Sequence, residues 1–197
     1  MDMTTNLSAV LLAAFAGLSA VDGLYIHLWS YRLHARADSR TEHLLHTGRA
    51  VLFPAILWLL YRGDPAGWIL WTGVSLALLD TILELADVGS EPASRADLGG
   101  LGAVEAVLHA ALITLRSASV VLILAARPSS AWDLSAVGTG TLVAPLAQFV
   151  TRLLMPGAIG VAVLHAWLAL PRTEDARKLG IRHVPERGAS ATSGGMR

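Results

Sequence analysis

The stretch LSAVLLAAFAGLSAVDGLYIHLW, residues 7–29, decides the fold class. At about 1.5 Å of rise per residue, a helix of this length spans roughly 35 Å, enough to cross a hydrocarbon core of about 30 Å. Only Asp22 and His27 interrupt its apolar character. The residues before it read Met-Asp-Met-Thr-Thr-Asn, without the basic start of a secretory signal, and no small-residue cleavage site separates it from the next segment of the chain. It reads as a retained transmembrane helix.

Working outward, four more apolar runs lie at about 42–61, 67–87, 101–126 and 149–170. Composition agrees: 54% of residues are hydrophobic and 15% charged, where a soluble domain typically carries about 25% charge. The expected fold is an all-α integral membrane protein of about five transmembrane helices in residues 1–170. The tail, 171–197, is charged and then Gly/Ser-rich, and is expected to be cytoplasmic and partly disordered. Residues 129–148 fit either a surface or a re-entrant segment.

Zero formal net charge gives no basic footprint for nucleic acid, and the absence of cysteine excludes disulfides, thiolate metal sites and iron–sulfur clusters. Loop charge sets the expected orientation in the cell membrane. With five spans, Arg32, Arg36, Arg40, Arg95, Arg172, Arg177, Lys178, Arg182, Arg187 and Arg197 share one side, against Arg62 and Arg127 on the other, with Arg152 beside them. The N-terminus is therefore expected outside and the C-terminus in the cytoplasm.

An ionisable side chain inside a membrane helix costs about 2.5–3.5 kcal/mol and marks a functional site by default. This chain places many there: Asp22 and His27 in the first helix; Glu42, His43, His46 and Arg49 in the second; Asp80, Glu84 and Asp87 in the third; Glu105, His109 and Arg116 in the fourth; His165 in the fifth. Counted along each helix, most fall within roughly 12 Å of the cytoplasmic boundary. Glu42/His46 and Glu105/His109 are each four residues apart, on one helix face. Each pair comes after a lone acid on the preceding helix, Asp22 or Glu84, and each has an arginine farther along, Arg49 or Arg116. Arg-Ala-Asp also recurs before each pair, at 36–38 and 95–97. The pattern reads as a weak two-hairpin internal repeat.

Two lone acids and two Glu/His pairs on four helices form a pattern similar to the ligand set of soluble di-iron and di-manganese carboxylate bundles. It departs from that set in spacing its pairs i, i+4 rather than i, i+3, and in using an aspartate. The resemblance implies a four-helix bundle, with the fifth helix flanking it. Two divalent ions, iron preferred and manganese or zinc as alternatives, would be held by Asp22, Glu42, His46, Glu84, Glu105 and His109. His27, His43, Asp80, Asp87, Arg49, Arg116 and His165 are additional or outer participants, as is Tyr25. The expected function is an oxidoreductase acting on a hydrophobic small molecule from the lipid bilayer, with an external electron donor.

Other readings use the same residues. His43 read alone is an interfacial helix-start residue, and His34 belongs to a basic loop. Asp80, Glu84 and Asp87 can pair with Arg49 and Arg116 in a structural network, although the acids outnumber the arginines. Bis-histidine ligation of haem b from His27, His46, His109 or His165 is an alternative, as is a zinc-dependent membrane hydrolase. An ion or proton transporter would show helices broken by Pro and Gly, expected here only in the last helix. The chain has no adjacent histidine pair of the kind that marks a membrane desaturase, and Gly157-x-x-Gly160 is too common a step to predict a dimer.

Overall fold

A computed structural model describes residues 2–36, 39–94, 96, 100, 102–138 and 144–170. The Arg-Ala-Asp recurrences fall partly outside these residues, and the tail from 171 falls wholly outside. All regular structure among the described residues is helical, and five helices are long and apolar enough to cross a membrane.

Helix α1 runs from Asp2 to Ala20 and continues without a break into a ten-residue π-helical segment, Val21–Ser30. Tyr31, Arg32 and the short turn Leu33–Ala35 then lead to α2, with Arg32 in the left-handed region at φ 50°. Helix α2 spans Arg40–Ile56 and also ends in a π segment, Leu57–Tyr61. Pro54 lies inside α2 just before that segment. Proline has no N–H to close the preceding turn, so the hydrogen-bond ladder must re-register around it. Sequence placed helix breaks in the last helix alone, where Pro156 sits inside α5; the first two helices depart from α geometry as well.

Helix α3, Gly67–Ser94, outlasts its expected end by two turns, and Pro92 in its last turn does not stop it. At 28 residues it is about 42 Å long, well beyond a bilayer core. Gly67 opens it at φ 58°, where a side chain would run into the Ala136 carbonyl. Helix α4 covers Ala103–Ala125 and α5 covers Pro145–Ala169. The segment left open by sequence begins with a short helical turn, Ser129–Trp132, resting on α3 through a Trp71 Nε1 to Trp132 carbonyl bond of 3.0 Å.

Helix packing has one order: α1 lies against α4 and α5, and α2 lies against α3 and α5. The fifth helix, expected to flank a bundle of four, packs on both α1 and α2. Each inward face repeats at steps of four and three residues, the stripe of a helix that buries one side. On α4 the stripe reads Glu105, His109, Leu112, Arg116, Ser119 and Ile123. At one end of the molecule these stripes are apolar, with Leu12, Leu57, Leu60, Leu70 and Ile123 buried almost completely. At the other they are charged.

Candidate metal centre

The π segment shapes the site first. In an α-helix, residues five apart point about 140° away from each other. The i to i+5 hydrogen bonding of a π-helix brings them close to one face. Asp22 and His27 are five apart within Val21–Ser30. Both are buried, and His27 Nε2 lies 3.6 Å from Asp22 Oδ1. On α-helical geometry the two would diverge, which makes His27 an outer participant; nothing in the residue types announces a π turn.

Around His27 two more helices, α2 and α4, deliver their ends. Glu105 Oε1 approaches His27 Nε2 at 3.5 Å, and His109 Nε2 approaches Asp22 Oδ1 at 3.4 Å. The His27 and His46 rings meet edge to face at 4.4 Å between centroids, and the His27 and His109 rings at 5.8 Å. Two donor groups result. Asp22, His27 and His109 form one; His27, Glu42 and His46 form the other, each with its ligand atoms within 4.8 Å of one another. They share His27, so they stand side by side.

Whether this donor set suits a metal depends on which atoms already have partners. Neither ring nitrogen of His27 or His109 makes a well-aligned hydrogen bond, nor do His46 Nε2 and Asp22 Oδ1, although all are sealed from solvent. His46 Nε2 and His109 Nδ1 nevertheless lie 3.0 and 2.8 Å from the Asp87 and Glu91 carboxylates, whereas His27 Nε2 has its carboxylate neighbours at 3.5 and 3.6 Å. Imidazole and carboxylate donors suit iron, manganese and zinc. Among the described residues, seven carboxylates are buried in this part of the molecule: Asp22, Glu42, Asp80, Glu84, Asp87, Glu91 and Glu105. Arg49 and Arg116 engage Asp80, Glu84 and Asp87 among them.

The other expected residues take distinct places. Glu84 lies between two guanidinium groups, accepting from Arg49 Nη2 and from Arg116 Nη2, while Asp80 accepts from Arg116 Nη1. Arg116 also donates to Thr81 Oγ1 at 3.0 Å. Glu84 belongs to neither donor group, and Glu105 borders the first through His27. Asp87 Oδ2 stands 3.0 Å from His46 Nε2 and 3.6 Å from Arg49 Nη1. His43 stacks on His165 at 5.6 Å between centroids, and His34 tilts toward His43 at 6.1 Å. Tyr25 is exposed; its near neighbour Tyr31 instead reaches Glu105 Oε2 at 3.4 Å.

Glu91 is the residue that sequence reasoning does not find. It is 2% exposed and holds its Oε1 2.8 Å from His109 Nδ1. It turns the opposite ring nitrogen toward Asp22, the arrangement in which a carboxylate fixes a metal-binding imidazole. The signal is present in spacing: Asp80, Glu84, Asp87 and Glu91 take steps of four, three and four along one helix face. An expected helix end at residue 87 hides the last of them.

A cavity of about 20 Å³ bounded by Asp22, His46, Glu84, Asp87, Glu91 and His109 lies among these groups, room for one water molecule or ion. No family model matches the chain, and neither does any curated protein or solved structure. The chemistry of the site therefore rests on its own geometry.

Proposed function

We propose that the chain is a multi-pass membrane protein carrying a dinuclear metal centre, iron preferred with manganese or zinc as alternatives. It acts as an oxidoreductase on a hydrophobic substrate drawn from the lipid phase. The observation that carries this reading is the pair of adjoining donor groups around His27, buried together with ring nitrogens that lack a well-aligned hydrogen bond. The loop charges favour an outside N-terminus and a centre near the cytoplasmic face.

In this reading Asp22, His27 and His109, bordered by Glu105, hold one ion, and Glu42 and His46 hold the other beside His27. Glu91 and Asp87 orient His109 and His46. Arg49 and Arg116 stay bound to Asp80 and Glu84, a charge-neutralising floor that keeps those acids from competing for the ions. Two bound iron ions with open positions would supply dioxygen activation, using electrons from a separate reductant.

A proton-conducting or purely ion-paired network is the second reading, favoured by the short His109–Glu91 and His46–Asp87 approaches. Metal analysis of detergent-purified protein separates the two. About two transition-metal ions per chain, lost from Glu42→Ala and Glu105→Ala variants that keep their helical circular dichroism, supports the metal centre. A metal-free protein that is fully folded rejects it, and a Soret band in the purified protein replaces it with haem.

A further inference from the structure

A second, larger cavity, of about 420 Å³, adjoins the centre between α1, α2 and α5. Its volume lies in the range of sites that enclose small organic molecules. Most of its wall is hydrocarbon, including Phe15, Phe53, Leu112, Leu153, Leu154 and Val161. Its titratable groups are Asp22, His46, Arg49, Asp80 and His165, all associated with the charged end of the molecule. Asp22 and His46 also belong to the donor groups, so cavity and centre share walls.

Glycines keep the cavity open. Gly17 on α1, Gly23 on the π segment and Gly157 on α5 line it, and a Cβ at any of them would meet nothing within 4 Å. Gly17 and Gly157 are also exposed on the outer surface of the helices, so the cavity opens sideways between α1 and α5. Charge restricts what fits its polar end. The guanidinium there, Arg49, is already engaged by Glu84, Asp80 and Asp87, and His46 faces Asp87. Asp80 is held by Arg116 and Asp22 adds an acid on the same wall, so an anionic head would find no unengaged arginine there.

From this juxtaposition we infer that the cavity binds a single-chain amphiphile with an uncharged oxygen head, such as a long-chain alcohol, entering laterally between α1 and α5. Its hydrocarbon chain lies along Phe15, Phe53 and Leu153, and its head lies at His46 and Asp22. The inference names the substrate class for the metal centre and takes its chemistry from that reading, but the binding geometry stands without any metal.

The test uses protein in phosphatidylcholine nanodiscs and hexadecanol carrying a mid-chain diazirine. After irradiation, peptide mapping is expected to place the label on residues 15–24 and 153–161. Unlabelled hexadecanol competes it away, and hexadecanoate at equal concentration does so much less. Gly157→Phe, which fills the cavity, loses the label, whereas Gly160→Phe, outside its wall, keeps it. Label spread evenly over the outer faces of all five helices, or unaffected by Gly157→Phe, overturns the inference. So does equal competition by the carboxylate. Metal content measured on the same samples keeps the two readings apart: label without metal leaves the cavity standing and removes the dinuclear centre, and metal without label does the reverse.

Discussion

Two buried polar clusters sit at opposite ends of this bundle, and they are built differently. At the apolar end, Ser8 and Ser119 cross-link α1 to α4. Ser8 Oγ donates to the Ser119 carbonyl at 2.8 Å, Ser119 Oγ donates to the Ser8 carbonyl at 2.8 Å, and the Tyr61 hydroxyl joins Ser119 Oγ at 2.8 Å. Arg127, beyond α4, binds the Leu60 and Gly63 carbonyls and the Asp64 carboxylate. Burial pulls the Arg127 guanidinium below its ordinary pKa while Asp64 works to hold it up. Small hydroxyls and backbone oxygens satisfy one another there. At the charged end, the imidazole nitrogens of His27, His46 and His109 lie among carboxylates at 2.8–3.6 Å without well-aligned hydrogen bonds. The hydroxyls of the apolar end are closed on each other, with Arg127 Nε the exception beside them, whereas unaligned imidazole and carboxylate atoms gather at the charged end.

The sharpest way to break this comparison is His27→Ala. Because His27 belongs to both donor groups, the variant is expected to lose both ions by metal analysis while the protein stays helical. Retention of two ions would remove His27 from the centre. Arg116→Met comes next. It strands Asp80 and Glu84 beside Arg49 alone, and breaking a buried pair in this way costs about 3–5 kcal/mol. Reversible unfolding in detergent should show that loss, and an Arg116→Met/Asp80→Leu double variant should recover part of it. Glu91→Gln keeps the volume but weakens the hold on His109, lowering metal affinity by about 10–100-fold in a chelator titration with little change in unfolding. The smallest effect belongs to the opposite end: Ser119→Ala removes hydroxyl bonds worth about 1 kcal/mol each and leaves metal content untouched. If Ser119→Ala lowered metal content as much as Glu91→Gln does, the two ends would not be separable.

Hydropathy makes the helices legible. Five apolar runs correspond to five helices long and apolar enough to cross a membrane. Side-chain spacing makes much of the polar layer legible as well. Glu42/His46 and Glu105/His109 share faces by α-helical arithmetic, and Asp22 meets them. Three features lie outside that reading. Glu91 is lost because the expected helix end at residue 87 falls short of it, whereas α3 runs on through Pro92 to Ser94. The packing of α5 on both α1 and α2 is a tertiary choice, invisible in an apolar segment compatible with several partners. Glu84 sits between two arginines because α3 and α4 are joined there by long side chains, a distance that no sequence spacing reports.

The π segment Val21–Ser30 carries a consequence for how this chain tolerates change. Substitutions that keep it apolar preserve its capacity to cross a membrane. Removing a single residue between Asp22 and His27 sets them four apart, so α-helical phase still holds both on one face, whereas adding one sets them six apart and turns them about 120° away from each other in that phase. The site is thus encoded in the count of residues along one turn as much as in their kinds, so an insertion there separates a pair that a deletion leaves together.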